Sequence, residues 1–480
     1  MSKKTMSNYT ILNSAINPKR VFILQKSELE KRFDPDFYIP QLLELERKVL
    51  AKLPKKLRDY VVSVSSGATP KTTESELYYA EKENGIPFLR VQNLSPTGVL
   101  EFEDCKYINH ETHNGMLKRS QVSAGDLLVK ITGVGRMAIA SVAPEGFIGN
   151  INQHVCVIKT GSKEISEMLA AFLNSDIGEK LASRRSAGGT RPALDYPALL
   201  SIPIIEDKRI LQITNKVIEQ KQKNEAEAEK LLSSIDDYLL KELGINLPEA
   251  TENTLKSRMF TTTIKEISTY RFDPNYYRQN FKDSYVSINK SKYKTQLLKD
   301  ITETIFQGVG RNIDNNSKFT LLKVKNIKQN CEIDYDETEQ IGDFPISKFL
   351  MKGDIITPCI GEAVRQIKFA LFEKENEKYL VDNNTGVIRL NQNNDSHFIK
   401  YCLCSTIGRI QITRLIGGGG VPFLGSDNLK KLIIPIPQLD KQKEIANHIA
   451  DIQQQAQQLK NMTKELLKKA SEEIEEILIG

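Results

Sequence analysis

Several features that would point to a membrane, a disulfide scaffold or a catalytic centre are missing from this sequence. No apolar run reaches the ~18 residues that a membrane-spanning helix needs, and the first ten residues, MSKKTMSNYT, contain no apolar signal core. We therefore expect a cytoplasmic protein without a membrane partner. The six cysteines form no Cys-x-x-Cys pair, which favours reduced thiols. With only five histidines, no Ser-His-Asp or Cys-His arrangement stands out.

A metal site is not predicted either. The stretch CKYINHETH places Cys105, His110 and His113 close together along the chain. A structural zinc ion takes four ligands, and no fourth candidate is evident near these three.

The composition of the chain is that of a globular protein with a modest positive charge. Its 480 residues exceed one ordinary core and predict two or three domains. Hydrophobic residues make up 40% and charged residues 27% of the chain. The net charge of +6 fits a nucleic-acid partner without requiring one, because 67 basic residues are balanced by 61 acidic residues.

The stretch RFDPDFY at residues 32–38 half-resembles two catalytic motifs. Adenine methyltransferases carry Asp/Asn-Pro-Pro-Tyr/Phe, but Asp36 stands at the third position here and no glycine-rich cofactor loop follows an early strand. A nuclease with a Pro-Asp pair and a downstream Glu-x-Lys would hold Mg²⁺ between the carboxylates of Asp36 and Glu46, with Lys48 on the nucleophile. The same segment, LLELERKVL, is also typical of an amphipathic helix, so the nuclease stays an alternative.

The chain is a tandem duplication. RFDPDFY at 32–38 returns as RFDPNYY at 271–277, and further motifs follow in the same order in both halves, with a period near 230–239 residues. These motifs are FLRVQN (88–93) with LLKVKN (321–326), AGDLLVKITG (124–133) with KGDIITPCIG (352–361), and GGTRPALDYPALLSIPII (188–205) with GGGVPFLGSDNLKKLIIPIP (418–437). Because the second copy has Asn275 in place of Asp36, we predict no catalytic role for the motif. Its aspartates are expected at turns or caps, and its aromatic pairs in packing.

Each repeat has two parts. The first contains short runs rich in Val, Ile and Leu, spaced by Gly, Asn and Pro, which predict strands. The second predicts one long helix, and ~36 residues at 1.5 Å each make a rod of about 54 Å. In the second helix, apolar or small residues alternate at spacings of four and three from Ile445 to Ile477, as in a coiled-coil seam. The first helix keeps this pattern at its ends, whereas its middle, EQKQKNEAEAEK, is strongly polar.

We therefore predict an α+β protein with two homologous strand-rich domains, separated by two long helices that pair as an antiparallel coiled coil with pseudo-two-fold symmetry. The predicted division is a first strand-rich domain at 1–206, a first long helix at 207–243, a linker at 244–257, a second strand-rich domain at 258–439 and a second long helix at 440–480. Two related domains on a rigid spacer suit a ligand with two sites a fixed distance apart. Duplex DNA, whose groove repeats about every 34–36 Å, is such a ligand.

The predicted loops carry side chains that bind base edges and phosphates of double-stranded DNA. Arginine suits guanine, asparagine and glutamine suit adenine, and lysine suits the backbone. The clusters recur at equivalent loops with different side chains, which would give each domain its own base preference. The candidate DNA-binding residues are Thr69, Lys71, Arg90, Gln92, Asn93, Lys130, Arg136, Asn152, Gln153, Arg184, Arg185, Arg191, Arg311, Asn312, Lys323, Lys325, Asn326, Arg365, Asn383, Arg409 and Arg414.

These features together resemble the DNA-specificity subunit of type I restriction-modification systems. The resemblance covers about residues 20–480, and its most specific part is the Gly-Gly…Leu…Ile-Pro-Ile run before QLDKQKEIANHI. It implies that the two strand-rich domains are target recognition domains, each for one half of a split DNA sequence, with an unread spacer set by the helices. It also implies that this chain has no catalytic site.

The resemblance further implies partners. Two methyltransferase subunits would carry S-adenosylmethionine and modify adenine, and ATP-driven restriction and translocase subunits would complete the complex. S-adenosylmethionine, ATP and Mg²⁺ would sit on those partners, with no cofactor in this chain. The helices would offer surface to the methyltransferases. A specificity subunit of a related system, in which methyltransferase and nuclease are fused, would look nearly identical, and a coiled-coil adaptor without DNA binding is a third alternative.

Overall fold

The computed structural model describes residues 21–30, 32–249, 254, 259–267, 271–310, 319–336, 338–342, 344–375, 377–417 and 420–480. The chain divides into two units, which are described separately below. Unit 1 contains residues up to 225 together with 460–480, and unit 2 contains residues 226–459. The division cuts through both long helices, so each unit holds one part of each helix. Half of the predicted linker at 244–257 lies outside the described residues, and within its described start Ile245 is buried in the unit 2 core.

The strands of unit 1 are short and form three sheets. They are β1 (Lys55–Lys56), β2 (Ser63–Ser66), β3 (Ile86–Leu89), β4 (Lys106–Ile108), β5 (Gln121–Ser123), β6 (Leu127–Lys130), β7 (Ala140–Val142), β8 (Ile148–Ile151), β9 (Val155–Lys159) and β10 (Pro203–Ile204). One sheet has the order β2-β9-β6-β7, another has the order β4-β3-β8-β5, and β1 pairs with β10. Neighbours are antiparallel except β3 and β8, where Phe88 lies opposite Asn150 in a parallel pair.

Several helices of unit 1 begin at residues whose side chains cap them. They are α1 (Pro40–Leu50), α2 (Ser75–Tyr78), α3 (His110–Asn114), α4 (Lys163–Asn174), α5 (Asp176–Arg185), α6 (Tyr196–Leu200) and α7 (Lys208–Leu243). The side chains of Ser162, Ser175 and Asp195 accept hydrogen bonds from backbone N–H groups in the first turns of α4, α5 and α6. The buried faces of α4 and α5 pack against β6 in one apolar core.

Unit 2 repeats this topology, except that its described residues contain no counterpart of β5. Its strands are β11 (Thr295–Leu297), β12 (Thr302–Gln307), β13 (Phe319–Leu322), β14 (Glu339–Ile341), β15 (Ile355–Pro358), β16 (Ala370–Leu371), β17 (Tyr379–Val381), β18 (Thr385–Leu390) and β19 (Ile433–Pro435). The sheet orders are β12-β18-β15-β16, β14-β13-β17 and β11-β19. The parallel pair of unit 1 returns as β13 with β17. The predicted duplication into two homologous α+β halves is therefore confirmed.

The helices of unit 2 follow the same sequence along the chain. They are α8 (Gln279–Asn289), α9 (Ser396–Cys404), α10 (Thr406–Leu415), α11 (Ser426–Leu429) and α12 (Leu439–Ile479). Asp395 caps α9 and Ser405 caps α10, as Ser162 and Ser175 cap α4 and α5 in unit 1. Within the part of the chain that the structure describes, no helix is long and apolar enough to cross a bilayer.

The predicted antiparallel pairing of the two long helices is present inside unit 1. The last turns of α12 join the unit 1 core through Ile474 and Leu478, beside Ile210 at the start of α7. Further along α7, the amide Nδ2 of Asn224 donates to the hydroxyl of Thr463 at 3.0 Å. The two side chains are each only 6% exposed. As the residue number rises along α7, the number of its partner on α12 falls.

The same pairing continues inside unit 2. Leu239 and Leu243 of α7 share a core with Ile445 and Ile449 of α12. The rings of Tyr238 and His448 lie 4.2 Å apart between centroids. At the end of α7, the ammonium group of Lys441 is 2.8 Å from the Glu242 carboxylate. This contact raises the pKa of Lys441 and lowers that of Glu242.

Candidate nucleic-acid interface

The RFDP motif holds the carboxyl end of a helix rather than forming a catalytic site. Arg32 donates to the carbonyl oxygens of Arg185 and Ser186, at 2.8 and 3.0 Å, where α5 ends. The last carbonyls of a helix have no partners within it and carry partial negative charge, so a guanidinium group satisfies them. Asp34 orients Arg32 through two hydrogen bonds of 2.8 and 2.6 Å. This contact keeps the pKa of Asp34 below its usual range.

The second copy makes the same contacts with different helix residues. Arg271 donates to the carbonyl oxygens of Leu415 and Ile416, at 3.0 and 2.8 Å, where α10 ends. Asp273 binds the Arg271 guanidinium, and its carboxylate also accepts from the backbone N–H of Tyr276 at 3.0 Å. The predicted cap is thus present at Asp273. At Asp34 the carboxylate makes no side-chain cap.

Arg184 and Arg185, both predicted to contact DNA, are instead buried in unit 1. They are 3% and 8% exposed, and both guanidinium groups pair with the carboxylate of Glu46 on α1. Arg184 also donates to the carbonyl of Phe37 at 2.8 Å. A charged group inside a core must be paired, which explains why these arginines face inward. This burial argues against the predicted DNA contacts. It also occupies Glu46, the carboxylate on which the nuclease alternative depends.

Arg414 is the counterpart of Arg184 in unit 2 and is likewise structural. Its Nε donates to the carbonyl of Tyr276 at 3.0 Å, and its guanidinium lies 4.3 Å from the centre of the Tyr276 ring. In unit 1, Arg184 lies 3.9 Å from the Phe37 ring. In each unit the first residue of the aromatic pair that ends the motif therefore has a guanidinium over its ring. Arg414 is half-buried by these contacts, and its contact with DNA stays a prediction.

Asn93 and Asn326, predicted to recognise adenine, shape the backbone at the start of short 3₁₀ turns. Asn93 Oδ1 accepts from the N–H of Arg90, and its Nδ2 donates to the carbonyl of Glu101. Asn326 makes the same pair of bonds, to Lys323 and Asp334. The asparagines are 1% and 2% exposed, which corrects both assignments. A buried amide needs such partners because leaving it unsatisfied is costly.

Three further candidates form hydrogen bonds with the backbone of unit 1: Lys130, Arg136 and Asn152. Lys130 is 3% exposed, and its ammonium group donates to the carbonyls of Val134 and Arg136 at 2.7 and 2.9 Å. Burial lowers the pKa of Lys130. The half-buried Arg136 donates to the carbonyl of Ser175 at 2.8 Å. Asn152, which is 6% exposed, accepts from the N–H of His154. The predicted direct contacts of Lys130 and Asn152 are therefore corrected to a supporting role.

Three other candidates come together on the surface of unit 1 from distant parts of the chain. The Thr69 hydroxyl bonds the side-chain oxygen of Gln153, and Gln153 lies 3.2 Å from the ring of His154. Arg191 is 2.9 Å from the same ring nitrogen, His154 Nε2. Thr69, Gln153 and Arg191 are exposed. We call these four residues the unit 1 polar cluster.

The electrostatics of the cluster come from Arg191 and a neutral imidazole. Burial, and the Arg191 guanidinium beside the ring, lower the pKa of His154. His154 itself is a functional candidate that residue-type reasoning ranked too low. Its position between Gln153 and Arg191 depends on a fold that joins two distant loops. The other surface candidates of unit 1 are Lys71 and Gln92, which are exposed, and Arg90, which is half-buried.

The corresponding surface of unit 2 carries a different set of polar and basic side chains. Lys325, Arg365, Asn383 and Arg409 are exposed, whereas Lys323 is half-buried and paired with Glu339. Arg365 lies 3.2 Å from Glu362. The backbone carbonyl of Asn383 accepts from Gln307. Arg311 and Asn312 lie outside the described residues.

The glycine-rich loops place different chemistry at the same position in the two units. A backbone bridge joins Thr132 to Ala193 in unit 1, and the equivalent bridge joins Ile360 to Phe423 in unit 2. Counting back two residues from each bridge pairs Arg191 with Val421. Val421 and Phe423 are 59% and 43% exposed. Sequence reasoning about polar side chains missed these two apolar residues, although the aligned repeats contain the signal.

The described surface does not assemble a metal centre. Among the residues that the structure describes, no group of three or more His, Cys, Asp or Glu side chains could hold a metal ion. His113, one of the three residues of CKYINHETH, is 8% exposed and its ring contacts Asn150. What the loops offer is hydrogen-bond donors, positive charge and exposed apolar groups.

Comparison with known protein families gives one match, which covers much of the second half of the chain. Residues 288–475 match the model of the type I restriction modification DNA specificity domain, which confirms the resemblance drawn from the sequence. No curated protein matches the chain.

Solved structures of similar chains cover most of this one at low identity. The specificity (S) subunit of a type I restriction-modification system from M. genitalium is 13% identical, covering 89% of this chain and 94% of its own, with a TM-score of 0.41. The HsdS subunit from Thermoanaerobacter tengcongensis is 13% identical, covering 88% and 94%, with a TM-score of 0.35. A chain from a study of assembly and conformational transition of the type I R-M system is 13% identical, covering 88% and 95%, with a TM-score of 0.45.

Proposed function

Because residues 288–475 belong to the type I restriction modification DNA specificity domain family, we propose that the chain is the DNA sequence-recognition subunit of such a system. Each unit would bind one half of a bipartite target in double-stranded DNA. The paired helices would set the unread spacer and dock two methyltransferase subunits. Restriction and translocase subunits would join the same complex, which we expect to act in the cytoplasm.

The observation that carries this proposal is the contrast between the two units. Apart from β5, they share the order of equivalent strands and the position of the glycine-rich loop, yet the matched loop positions carry Arg191 in one unit and Val421 in the other. Arginine donates to guanine O6 and N7, whereas apolar groups contact the methyl group of thymine. One framework with two different surfaces suits the recognition of two different half-sites.

The DNA surface that we propose is smaller than the one predicted from residue types. In unit 1 it contains Thr69, Lys71, Gln92, Gln153 and Arg191, with His154 added. In unit 2 it contains Lys325, Arg365, Asn383 and Arg409, with Val421 and Phe423 added. Arg90, Arg136 and Lys323 would reach DNA only beside their structural contacts, and Arg311 and Asn312 keep the status of sequence predictions.

The chain itself would carry out no chemistry. Glu46 is tied to two buried arginines and the RFDP motif closes a helix end, so both motifs that suggested catalysis have structural functions. S-adenosylmethionine, ATP and Mg²⁺ would bind the partner subunits, which supply methyl transfer and DNA cleavage.

The test is selection of bound duplexes from a random DNA pool, with the full chain alone and with its methyltransferase partner. We expect two short fixed blocks separated by a spacer of constant length and free sequence. Binding should weaken steeply with rising salt, because phosphate contacts release counterions. A single continuous block, or no enrichment in either form, would overturn the proposal.

A pair of variants tests the assignment of one half-site to unit 1. Arg191→Ala should relax one base position and cost ~1–3 kcal/mol for the preferred base, with the other block unchanged. Arg209→Ala is the control, since Arg209 is exposed at the start of α7 and pairs with Asp207. Equal weakening by both variants at all positions would show that Arg191 contributes only charge.

A further inference from the structure

Two cysteines of unit 2 lie in contact without being joined. The sulfur atoms of Cys331 and Cys404 are 3.3 Å apart. Cys331 lies in the turn between Ile327 and Ile333, which form a backbone bridge, and Cys404 is the last residue of α9. Both side chains are half-buried, whereas Cys156, Cys359 and Cys402 are buried.

The duplication provides an internal comparison for this pair. In unit 1, the bridge between Leu94 and Leu100 corresponds to the bridge between Ile327 and Ile333. The residue matched to Cys331 is therefore Gly98. The residue matched to Cys404 is Asn174, the last residue of α4. A side chain added at Gly98 would meet Asn174 Nδ2 at 3.9 Å, so the two positions face each other in both units.

The backbone at Cys331 makes this replacement costly. Cys331 has a φ of +61°, and Gly98 has a φ of +86°. Glycine adopts such angles freely, whereas a side chain at this position strains the turn. Unit 2 thus has a cysteine at a strained position and a second cysteine opposite it, where unit 1 has glycine and asparagine.

The surroundings favour a reactive thiolate at Cys331. The hydrogen bond from the Cys404 thiol lowers the pKa of Cys331 to about 6, against desolvation, with Lys400 and Arg409 also nearby. The same bond, together with burial, raises the pKa of Cys404. Arg409 is held beside the pair by a 2.8 Å hydrogen bond to the carbonyl of Cys404. A thiolate that is partly exposed and next to a second thiol is the arrangement of redox-sensitive cysteines.

We propose that Cys331 and Cys404 are a reversible oxidation site that forms an intramolecular disulfide with a hydroperoxide oxidant. The Cys331 thiolate attacks one peroxide oxygen, the O–O bond breaks, and the leaving hydroxide takes a proton to form water. The resulting sulfenic acid is attacked by the Cys404 sulfur. The S–O bond breaks, the S–S bond forms, and hydroxide leaves with the Cys404 proton as a second water. Two thiols are oxidised and one hydrogen peroxide is reduced to two waters.

The disulfide would cross-link the turn at 327–333 to the end of α9. This turn directly follows the 3₁₀ turn Val324–Asn326, which carries the exposed candidate Lys325. Oxidation would therefore stiffen one edge of the unit 2 loop surface. Unit 1, with Gly98 and Asn174 at the matched positions, would not respond.

The test is a count of free thiols in the full chain after treatment with dilute hydrogen peroxide. The chain has six cysteines, and we expect the number that can be alkylated after unfolding to fall by two. Mass spectrometry should find a peptide pair linked through Cys331 and Cys404 that has lost two hydrogens, and a reducing agent should restore both thiols.

Variants make the test specific. Cys331→Gly restores the residue that unit 1 uses, so it should fold, and it should lose the linked peptide. Cys105→Ser is the control and should keep it. The proposal fails if peroxide leaves all six thiols free, if Cys331 goes to sulfinic acid without a link, or if a different pair forms first.

Discussion

The arginine of each RFDP motif connects the entry segment of a unit to the end of a helix. Arg32 reaches the last carbonyls of α5, and Arg271 reaches those of α10. The aspartate of the motif fixes the guanidinium, and the hydroxyl of the tyrosine that ends the motif donates back to the carbonyl of the same arginine. The polar groups of the motif thus form hydrogen bonds with one another and with the end of the helix.

Acid should weaken the contact between Arg32 and Asp34 and so lower the stability of unit 1. The pKa of Asp34 is below its usual 3.8 because Arg32 donates to the carboxylate. The contact therefore stabilises unit 1 fully at pH values above the pKa of the unfolded chain. This stabilisation is lost as the pH falls through the lower pKa that Asp34 has in the folded protein. Asp34→Asn should lower the melting temperature near neutral pH, with the difference from the native chain vanishing in strong acid.

The matched control for this pH series is Asp36→Asn. Asp36 is the neighbouring acid of the same motif and is exposed. Its replacement should leave the melting temperature unchanged across the series. A pH-independent difference for Asp34→Asn would show that the carboxylate acts through shape alone.

The buried carboxylate of Glu46 should contribute far more to the stability of unit 1 than the exposed carboxylate of Glu44. Glu46→Ala leaves the guanidinium groups of Arg184 and Arg185 inside unit 1 without their anion. We expect this change to lower the free energy of unfolding of unit 1 by ~3–5 kcal/mol. Glu44→Ala removes an exposed pair with Lys48 on the same helix and should cost ~0.3–0.5 kcal/mol. Urea unfolding of the full chain measures both, and similar losses would contradict the assigned burial.

Residue type alone does not distinguish exposed side chains that could contact DNA from buried side chains that stabilise the fold. Arginine, lysine and asparagine are usually exposed, so a sequence favours them equally as DNA contacts. Arg191 and Arg184 look alike in the sequence, but one lies on a loop tip and the other on the inner face of α5. The difference depends on Glu46, which is more than a hundred residues away in the chain. No local pattern carries that information.

At the level of elements, the two long helices meet along a seam that includes polar residues. In α7 the inward positions run through Val217, Lys221, Asn224 and Ala228 at alternating spacings of four and three. The inward positions of α12 are mostly apolar, as its sequence predicted. Those of α7 include both apolar and polar residues. Gln220 supports this arrangement by donating to Asn224 Oδ1 at 2.8 Å. A buried polar pair at a seam fixes the register of two helices.

Removing one member of this pair should cost more than removing both. Thr463→Val leaves the buried Nδ2 of Asn224 without its hydroxyl acceptor, and we expect a loss of ~1–3 kcal/mol in the free energy of unfolding. Asn224→Leu combined with Thr463→Val makes the seam apolar and should recover most of that loss. Thermal and urea unfolding of the single and double variants completes the cycle. An additive loss in the double variant would rule out a direct coupling.

The helices and strands themselves could be predicted to a large extent. The run LLVK at 127–130, apolar in its first three residues, forms a fully buried strand, and the spacing from Ile445 to Ile477 gives a helix. The polar middle of α7 was the ambiguous part. Its inward face is defined by Thr463 on another helix, so its own sequence does not reveal it.

On the scale of the whole molecule, the proposed function predicts that the length of the paired helices sets the length of the DNA spacer. One added heptad lengthens a helix by about 10 Å at 1.5 Å per residue, which is roughly three base pairs at 3.4 Å each. Inserting seven residues after 225 and seven after 459 should lengthen the selected spacer by that amount, with both blocks unchanged. DNA selection with the extended chain measures this, and an unaltered spacer would contradict the role of the helices.

The two units also differ in how they are assembled from the chain. Unit 2 is one continuous segment, 226–459, whereas unit 1 needs residues 460–480 in addition to its first part. Domains usually fold in the order in which the ribosome delivers them. Here the first unit to emerge must wait for the last segment to be translated, because Ile474 and Leu478 complete its core. The nascent chain therefore finishes its second unit first, and a premature stop after residue 459 would leave the earlier one incomplete.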